Sequence, residues 1–225
     1  MQRTTKEHMT ASERRTLGLA PGAPEEAAGQ DARKYATANP VVQRLLSNWT
    51  TRVKGEIAPL AADGATVVDV GVGEGLALER IRPRGVVLVG VEYRADKAAC
   101  ARDLVDGLNA VVGDAGLLPF PDRCCDVSTC IEVLEHLTEP AVAVGELARI
   151  TSRACVVSVP WEPWFRLGNF ARGKNFRRLG NDPEHVQAFT KRRLRALLEP
   201  HFSDVQVRPA FPWLVAVATG PMTQS

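Results

Sequence analysis

The residues best placed to do chemistry lie where an apolar run meets a string of glycines: Val67, Val68, Asp69, Val70, Gly71, Val72, Gly73, Glu74 and Gly75. Glycine tolerates positive φ and lets a ligand approach the backbone, and a helix beginning just beyond would offer unpaired N–H groups. The run therefore predicts a strand, a tight turn and a helix around a nucleotide-like ligand. It is not the dinucleotide fingerprint, whose third glycine would fall where Leu76 stands, and no Gly-Lys-Ser/Thr follows to make a phosphate loop. A tight strand-to-helix turn with no ligand is the plainer alternative. Two acids downstream favour the ligand. Glu92 closes a second apolar run 23 positions after Asp69, where a doubly wound sheet sets a carboxylate on ribose hydroxyls, and Asp114 follows a third run at the same edge.

Positioning such residues requires alternating strands and helices, and the pattern supplies them. The sequence predicts strands over 66–70, 85–91, 110–112, 126–131, 154–159, 204–208 and 213–218, with helices over 75–81, 95–108, 139–150 and 191–198. Thr138 and Thr190 stand where caps belong. An earlier helix opens at Asn39 and Pro40, carries Val42, Leu45, Leu46, Trp49 and Val53 on one face, and meets Pro59. Short apolar strands alternating with helices describe an α/β domain whose mainly parallel sheet is buried on both faces. The last two strands, joined across Pro209 to Pro212, read as an antiparallel hairpin closing that sheet. Residues 1–33 lack periodicity and are expected to be a flexible arm or lid, with the domain proper over 34–225. Trp49 is expected at the surface, where it and the arm would serve a dimer contact or a lid. Residues 160–189 form one long insertion after the fifth strand, the kind of segment that carries a substrate site.

Composition narrows the field. The 225 residues are 45% hydrophobic and 24% charged with net charge +2, so no overall field draws the chain to nucleic acid or anionic lipid. No apolar run approaches the ~18 residues of a membrane span, and a cytoplasmic protein is expected. Five cysteines without a C-x-x-C pair argue against a disulfide framework or a structural zinc.

The combination of VDVGVGEG (68–75), Glu92, GDAGLLPFPD (113–122), CDVSTCIEVLEHL (125–137), GELARI (145–150) and HVQAFTKRRL (185–194) resembles the class I S-adenosylmethionine-dependent methyltransferases over roughly residues 40 to 218. Val72 and Cys125 depart from the family's commoner Cys and Phe. The resemblance implies a Rossmann-like, doubly wound seven-stranded sheet of order 3-2-1-4-5-7-6, last strand antiparallel, with helices on both faces. It implies S-adenosyl-L-methionine as cofactor, leaving as S-adenosyl-L-homocysteine. Asp69 with the loop of Gly71, Gly73 and Gly75 would orient the methionine end, Glu92 with neighbouring Tyr93 would hold the ribose, and Asp114 and Ala115 would meet the adenine. Ile131 and Glu132 would line the methionine side.

Methyl transfer needs a base only when the nucleophile is a hydroxyl that must lose its proton. His136, just past the fourth strand with Glu135 beside it, is the candidate, because imidazole titrates near neutrality. A cap or packing role for His136 stays open. Glu132, Glu135 and His136 fall at i, i+3 and i+4, so a helical turn would set them on one face, and His185 could complete a mixed oxygen and nitrogen site for a divalent metal. That arrangement resembles metal-dependent O-methyltransferases acting on vicinal hydroxyls, although a reaction without metal is preferred. In the insertion, residues 166–178 hold five basic residues and no acidic one, interleaved with Phe170 and Phe176. Trp161 and Trp164 precede them at the active edge and, with His185, are expected to touch substrate. The expected acceptor is a small molecule, most readily a hydroxyl, handled by a monomer or homodimer. An RNA-directed methyltransferase is the alternative, and a binding protein that lost catalysis is a third.

Overall fold

The computed structural model describes residues 35, 38–164 and 186–222, so the predicted arm and residues 165–185 of the insertion lie outside the described residues. Helix α1 (Pro40–Ile57) starts as predicted, with the Asn39 side chain accepting from the amides of Val41 and Val42 and Pro40 in the first turn. Seven strands follow: β1 (Thr66–Val70), β2 (Val87–Glu92), β3 (Leu108–Val112), β4 (Cys125–Ile131), β5 (Thr151–Pro160), β6 (Phe202–Ala210) and β7 (Trp213–Pro221). Between them lie α2 (Leu76–Ile81), α3 (Ala95–Leu104), a 3₁₀ turn at Leu134–His136, α4 (Pro140–Ile150) and α5 (Lys191–Leu198). The strands form one sheet of order β3-β2-β1-β4-β5-β7-β6, parallel except for β7, which runs antiparallel to both β5 and β6.

Both faces are covered, as the continuous apolar strands require. Alternate residues of β5 divide between two cores: Cys155, Val157 and Val159 meet Leu147 of α4 and Leu194 of α5, while Val156 faces the side held by α1, α2 and α3. Strand β7 divides likewise, with Leu214 and Ala216 on the first side and Trp213 and Val215 on the second.

Several boundaries differ from expectation for identifiable reasons. Helix α3 stops at Leu104, and Leu108, predicted as its last residue, instead opens β3, because Gly107 at φ +76° breaks the helix between them. Pro209 and Ala210 belong to β6 rather than to the connection, which leaves Phe211 and Pro212 as the turn. A proline is tolerated there because β6 is the sheet's edge and need not donate on its outer side. Trp49 is fully buried and not a surface residue. The stripe of α1 that buries Leu46, Val53 and Ile57 carries Trp49 into the sheet, where its indole stacks on Trp213 with centroids 5.1 Å apart and donates to Ser158 Oγ at 2.8 Å. It is therefore no dimer contact. All five cysteines are free thiols, and burial pushes that of Cys155 up to about 12.

Candidate active site at the carboxyl edge of the sheet

Parallel strands β1, β2, β3 and β4 end on one edge, and the order places β1 between β2 and β4, so their C-terminal residues converge. The glycine turn after β1 folds back on β2: the amides of Gly71 and Val72 both donate to the Val91 carbonyl, at 2.7 and 3.0 Å. Gly71, Gly73 and Gly75 all have positive φ (80°, 58° and 83°), the region glycine enters without strain. At Gly71 a side chain is excluded twice over, since a Cβ would lie 2.3 Å from a Val133 methyl. The turn after β4 thus packs directly on the turn after β1.

The loop's own amides are engaged within the protein. The Gly71 and Val72 amides are engaged with Val91, that of Gly75 donates to the Val72 carbonyl, and that of Gly73 donates to Glu92 Oε2 at 3.0 Å. With these four amides engaged, none of them is open to cradle a phosphate. The charged side chains at this turn are two acids, Asp69 and Glu92, a setting that suits a cationic, phosphate-free ligand. A sulfonium and an ammonium on an adenosine skeleton match that chemistry, and a polyphosphate does not.

Asp69 is 3% exposed and accepts a 2.5 Å hydrogen bond from the Thr129 hydroxyl on β4. Burial raises its pKa to about 7, the Thr129 bond opposing that rise. Glu92, at the end of β2, bridges two elements, its other oxygen accepting from the Arg94 amide at the start of α3 at 2.9 Å. Each carboxylate oxygen has two lone pairs, so both stay able to accept from a diol. Tyr93 follows, 75% exposed. Asp114 stands past β3, tied to the same edge by the Gly113 amide donating to the Glu92 carbonyl. It is exposed, and its Oδ1 accepts from the Gly116 amide at 2.8 Å in a tight turn that half-buries Ala115.

Beyond β4, Ile131 is buried and Glu132 adopts φ +59°, a left-handed conformation rare outside glycine. The Glu132 amide donates to the Ser158 carbonyl at 2.9 Å, and its Oε2 accepts from the Trp213 indole N–H at 2.6 Å. Because Glu132 lies outside the helical turn, the expected one-face grouping does not form: Glu135 is buried and His136 exposed on the separate 3₁₀ turn. Among the described residues no three His, Cys, Asp or Glu side chains gather as metal ligands, and His185 lies outside them. The Glu135 carbonyl nevertheless accepts from the amides of Val186 and Gln187, which anchors the end of the insertion beside His136.

Trp161 and Trp164 sit past β5 at the same edge. Their rings meet edge to face at 6.5 Å, Trp164 approaches Phe211 at 6.4 Å, and Lys191 Nζ lies 5.0 Å over the Trp161 ring. The edge therefore brings together Asp69, the three glycines and Glu92 at the ends of β1 and β2, Gly73 and Glu92 in direct contact, with Asp114, Ala115, Ile131 and Glu132 one strand away on either side. Sequence reasoning missed Thr129 and Trp213. Thr129 was detectable as a hydroxyl inside an apolar strand, whereas Trp213 reaches Glu132 across 81 residues and leaves no local signal.

Comparison with known proteins agrees. Residues 68–157 match the family model described as a methyltransferase domain, covering the glycine loop, Glu92, Asp114 and β4. The demethylmenaquinone methyltransferase of Roseiflexus castenholzii is 30% identical over 167 residues, 68% of this chain and 70% of that protein. The chain belongs to the class I S-adenosylmethionine-dependent methyltransferases. A demethylmenaquinone methyltransferase of Paenarthrobacter aurescens is 31% identical over 49% of this methyltransferase and 45% of its own length, and one of Renibacterium salmoninarum is 27% identical over 53% and 50%. The chain thus spans about half the length of these two curated relatives. Among solved structures, magnesium protoporphyrin IX methyltransferase from Synechocystis with bound S-adenosylhomocysteine superimposes with TM-score 0.61 at 17% identity, over 83% of this methyltransferase and 91% of that chain. The cyclase SpnF shares the fold too, with TM-score 0.55 at 15% identity over 78% and 81% of the two chains. Likeness at that level speaks for the fold alone, and the acceptor must be argued from the site. No helix among the described residues is long and apolar enough to cross a membrane.

Proposed function

We propose that this chain transfers the methyl group of S-adenosyl-L-methionine to a hydroxyl of a small-molecule acceptor. The observation that carries the reading is the glycine loop whose amides are turned inward while Asp69 and Glu92 flank it, a setting for a cation-bearing nucleoside rather than a phosphate. When bound, the cofactor supplies an activated methyl on sulfur. Asp69 pairs with its ammonium, Glu92 accepts from the ribose hydroxyls, and Asp114 accepts from the adenine amino group. The protein's remaining task is alignment of the acceptor oxygen and removal of its proton. His136, exposed beside the docked end of the insertion, takes that proton, and Trp161 and Trp164 wall the acceptor. An oxygen acceptor is supported by the name of one relative, the ubiquinone biosynthesis O-methyltransferase of Leptothrix cholodnii, 32% identical over 48% of this chain and 47% of its own.

Calorimetric titration of S-adenosyl-L-methionine into the wild type and Glu92→Ala tests the cofactor half. Saturable binding that collapses in the variant is expected, and no binding by the wild type overturns the reading. Turnover with a panel of phenolic and vicinal-diol acceptors, with EDTA and then with Mg²⁺, tests the rest. His136→Gln is expected to lower kcat by about 10²-fold or more. Methylation of bulk RNA in place of the panel would refute the small-molecule acceptor, and restoration only by Mg²⁺ would require a metal in the step.

A further inference from the structure

The segment 113–124 between β3 and β4 carries Asp114 at its second position and is not a strand or helix. Pro119 and Pro121 remove two of its N–H donors, so it cannot build a ladder of its own. Two neighbouring side chains on α4, Arg149 and Glu146, hold it. Arg149 donates through Nε and Nη2 to the two oxygens of Glu146, at 2.6 and 2.7 Å. Its other three N–H groups reach the segment: the Phe120 carbonyl at 2.7 Å, the Asp122 carboxylate at 2.9 Å and the Leu118 carbonyl at 3.1 Å. All five donors of the guanidinium are thereby used. Glu146 adds the Leu118 amide at 2.7 Å, and the Arg149 carbonyl accepts from the Arg123 amide at 2.8 Å.

Leu118 is gripped at both its amide and its carbonyl, and it directly follows the turn in which the Leu117 amide bonds back to the Asp114 carbonyl. The clamp therefore ends where the Asp114 turn begins. Nothing in the methyl-transfer chemistry needs Arg149, whose side chain meets the loop and α4. We infer that Arg149, clasped by Glu146, is a positioning residue that presents the Asp114 turn to the purine end of the cofactor, so that it sets cofactor affinity without touching the cofactor. The inference rests on the adenine role given to Asp114 above. Lysine cannot replace it, since an ammonium has three donors and no planar fork to serve Glu146 and two carbonyls at once.

Binding of S-adenosyl-L-homocysteine to the purified full chain, measured by calorimetry, tests this with Arg149→Lys, Asp114→Asn, Glu92→Gln and the two double variants carrying Arg149→Lys. Arg149→Lys alone is expected to weaken binding by about tenfold, raising KM for the cofactor while kcat at saturation stays within about twofold. Combined with Asp114→Asn it is expected to add less than about twofold, because both act on one contact, while with Glu92→Gln the losses multiply. Equal multiplication in both doubles, or unchanged affinity, overturns the inference. If Arg149→Lys does not fold, Glu146→Gln is read the same way, and if neither folds the clamp is structural and the inference fails. Failure of the wild type to bind the nucleoside would instead remove the reading on which it stands.

Discussion

Thr129 and Asp69 are register partners across the β4–β1 pair, and the hydroxyl of one donates to the carboxylate of the other at 2.5 Å. That bond recovers only part of what burial costs the charge, which leaves Asp69 titrating near 7. An acid whose folded pKa is raised contributes stability that is complete below its unfolded value of about 4 and is lost as pH rises through about 7. The upper bound is on the order of 4 kcal/mol, from about 1.4 kcal/mol per unit. Asp69→Asn removes the titration, so thermal melts of the cofactor-free protein should show the variant gaining on the wild type between pH 4 and pH 7. A constant difference across that window would mean that Asp69 is ionised throughout.

The same titration links to the ligand. An ammonium held by Asp69 favours the carboxylate, so cofactor binding near pH 6.5 should release protons to the buffer, and the release should fade above about pH 8. Calorimetry in two buffers of different ionisation enthalpy reads the number of protons directly. Uptake instead of release at pH 6.5 would place another group at the methionine end.

Gly71→Ala should abolish cofactor binding and destabilise the fold. The added Cβ meets Val133 at 2.3 Å, and φ +80° costs any other residue about 1–3 kcal/mol. Pairing it with Val133→Ala removes the collision and leaves the backbone strain. The double variant should therefore regain part of its melting temperature and little of its affinity.

Trp213→Phe deletes the indole N–H that reaches Glu132 Oε2 at 2.6 Å while keeping a ring against Trp49. Losing one partner of a part-buried carboxylate should cost on the order of 1 kcal/mol in denaturant unfolding. Trp213→Phe combined with Glu132→Ala should be less costly than the sum of the two, since both remove the same bond.

The strands, the layers and the edge bearing the site were legible because each rests on local signals: apolar runs, glycines where φ must turn positive, and an acid closing each of two runs. The strand order rested instead on the resemblance to the methyltransferase family, since no local signal says which strands lie side by side. Cooperation between distant residues was not. Trp49 read as a surface residue because its helix shows only that one face is apolar, not how far the sheet reaches beneath it. Glu132, Glu135 and His136 have helical spacing, but the chain leaves β4 through a left-handed residue held by Ser158 and Trp213, and neither partner is near in sequence. The loop's inward amides were equally hidden, since their acceptors lie on β2 and within the turn itself.

The Arg149 grip closes mostly on backbone carbonyls and an amide rather than on side chains of the segment it holds. Leu117, 77% exposed, lies within that span without any part in the grip. Exposed positions of this kind can be exchanged while the main chain stays where it is. The exposed positions of the segment are thus open to exchange while buried Leu118 and the main-chain grip keep its path, which gives a designer a place to vary the proposed purine contact.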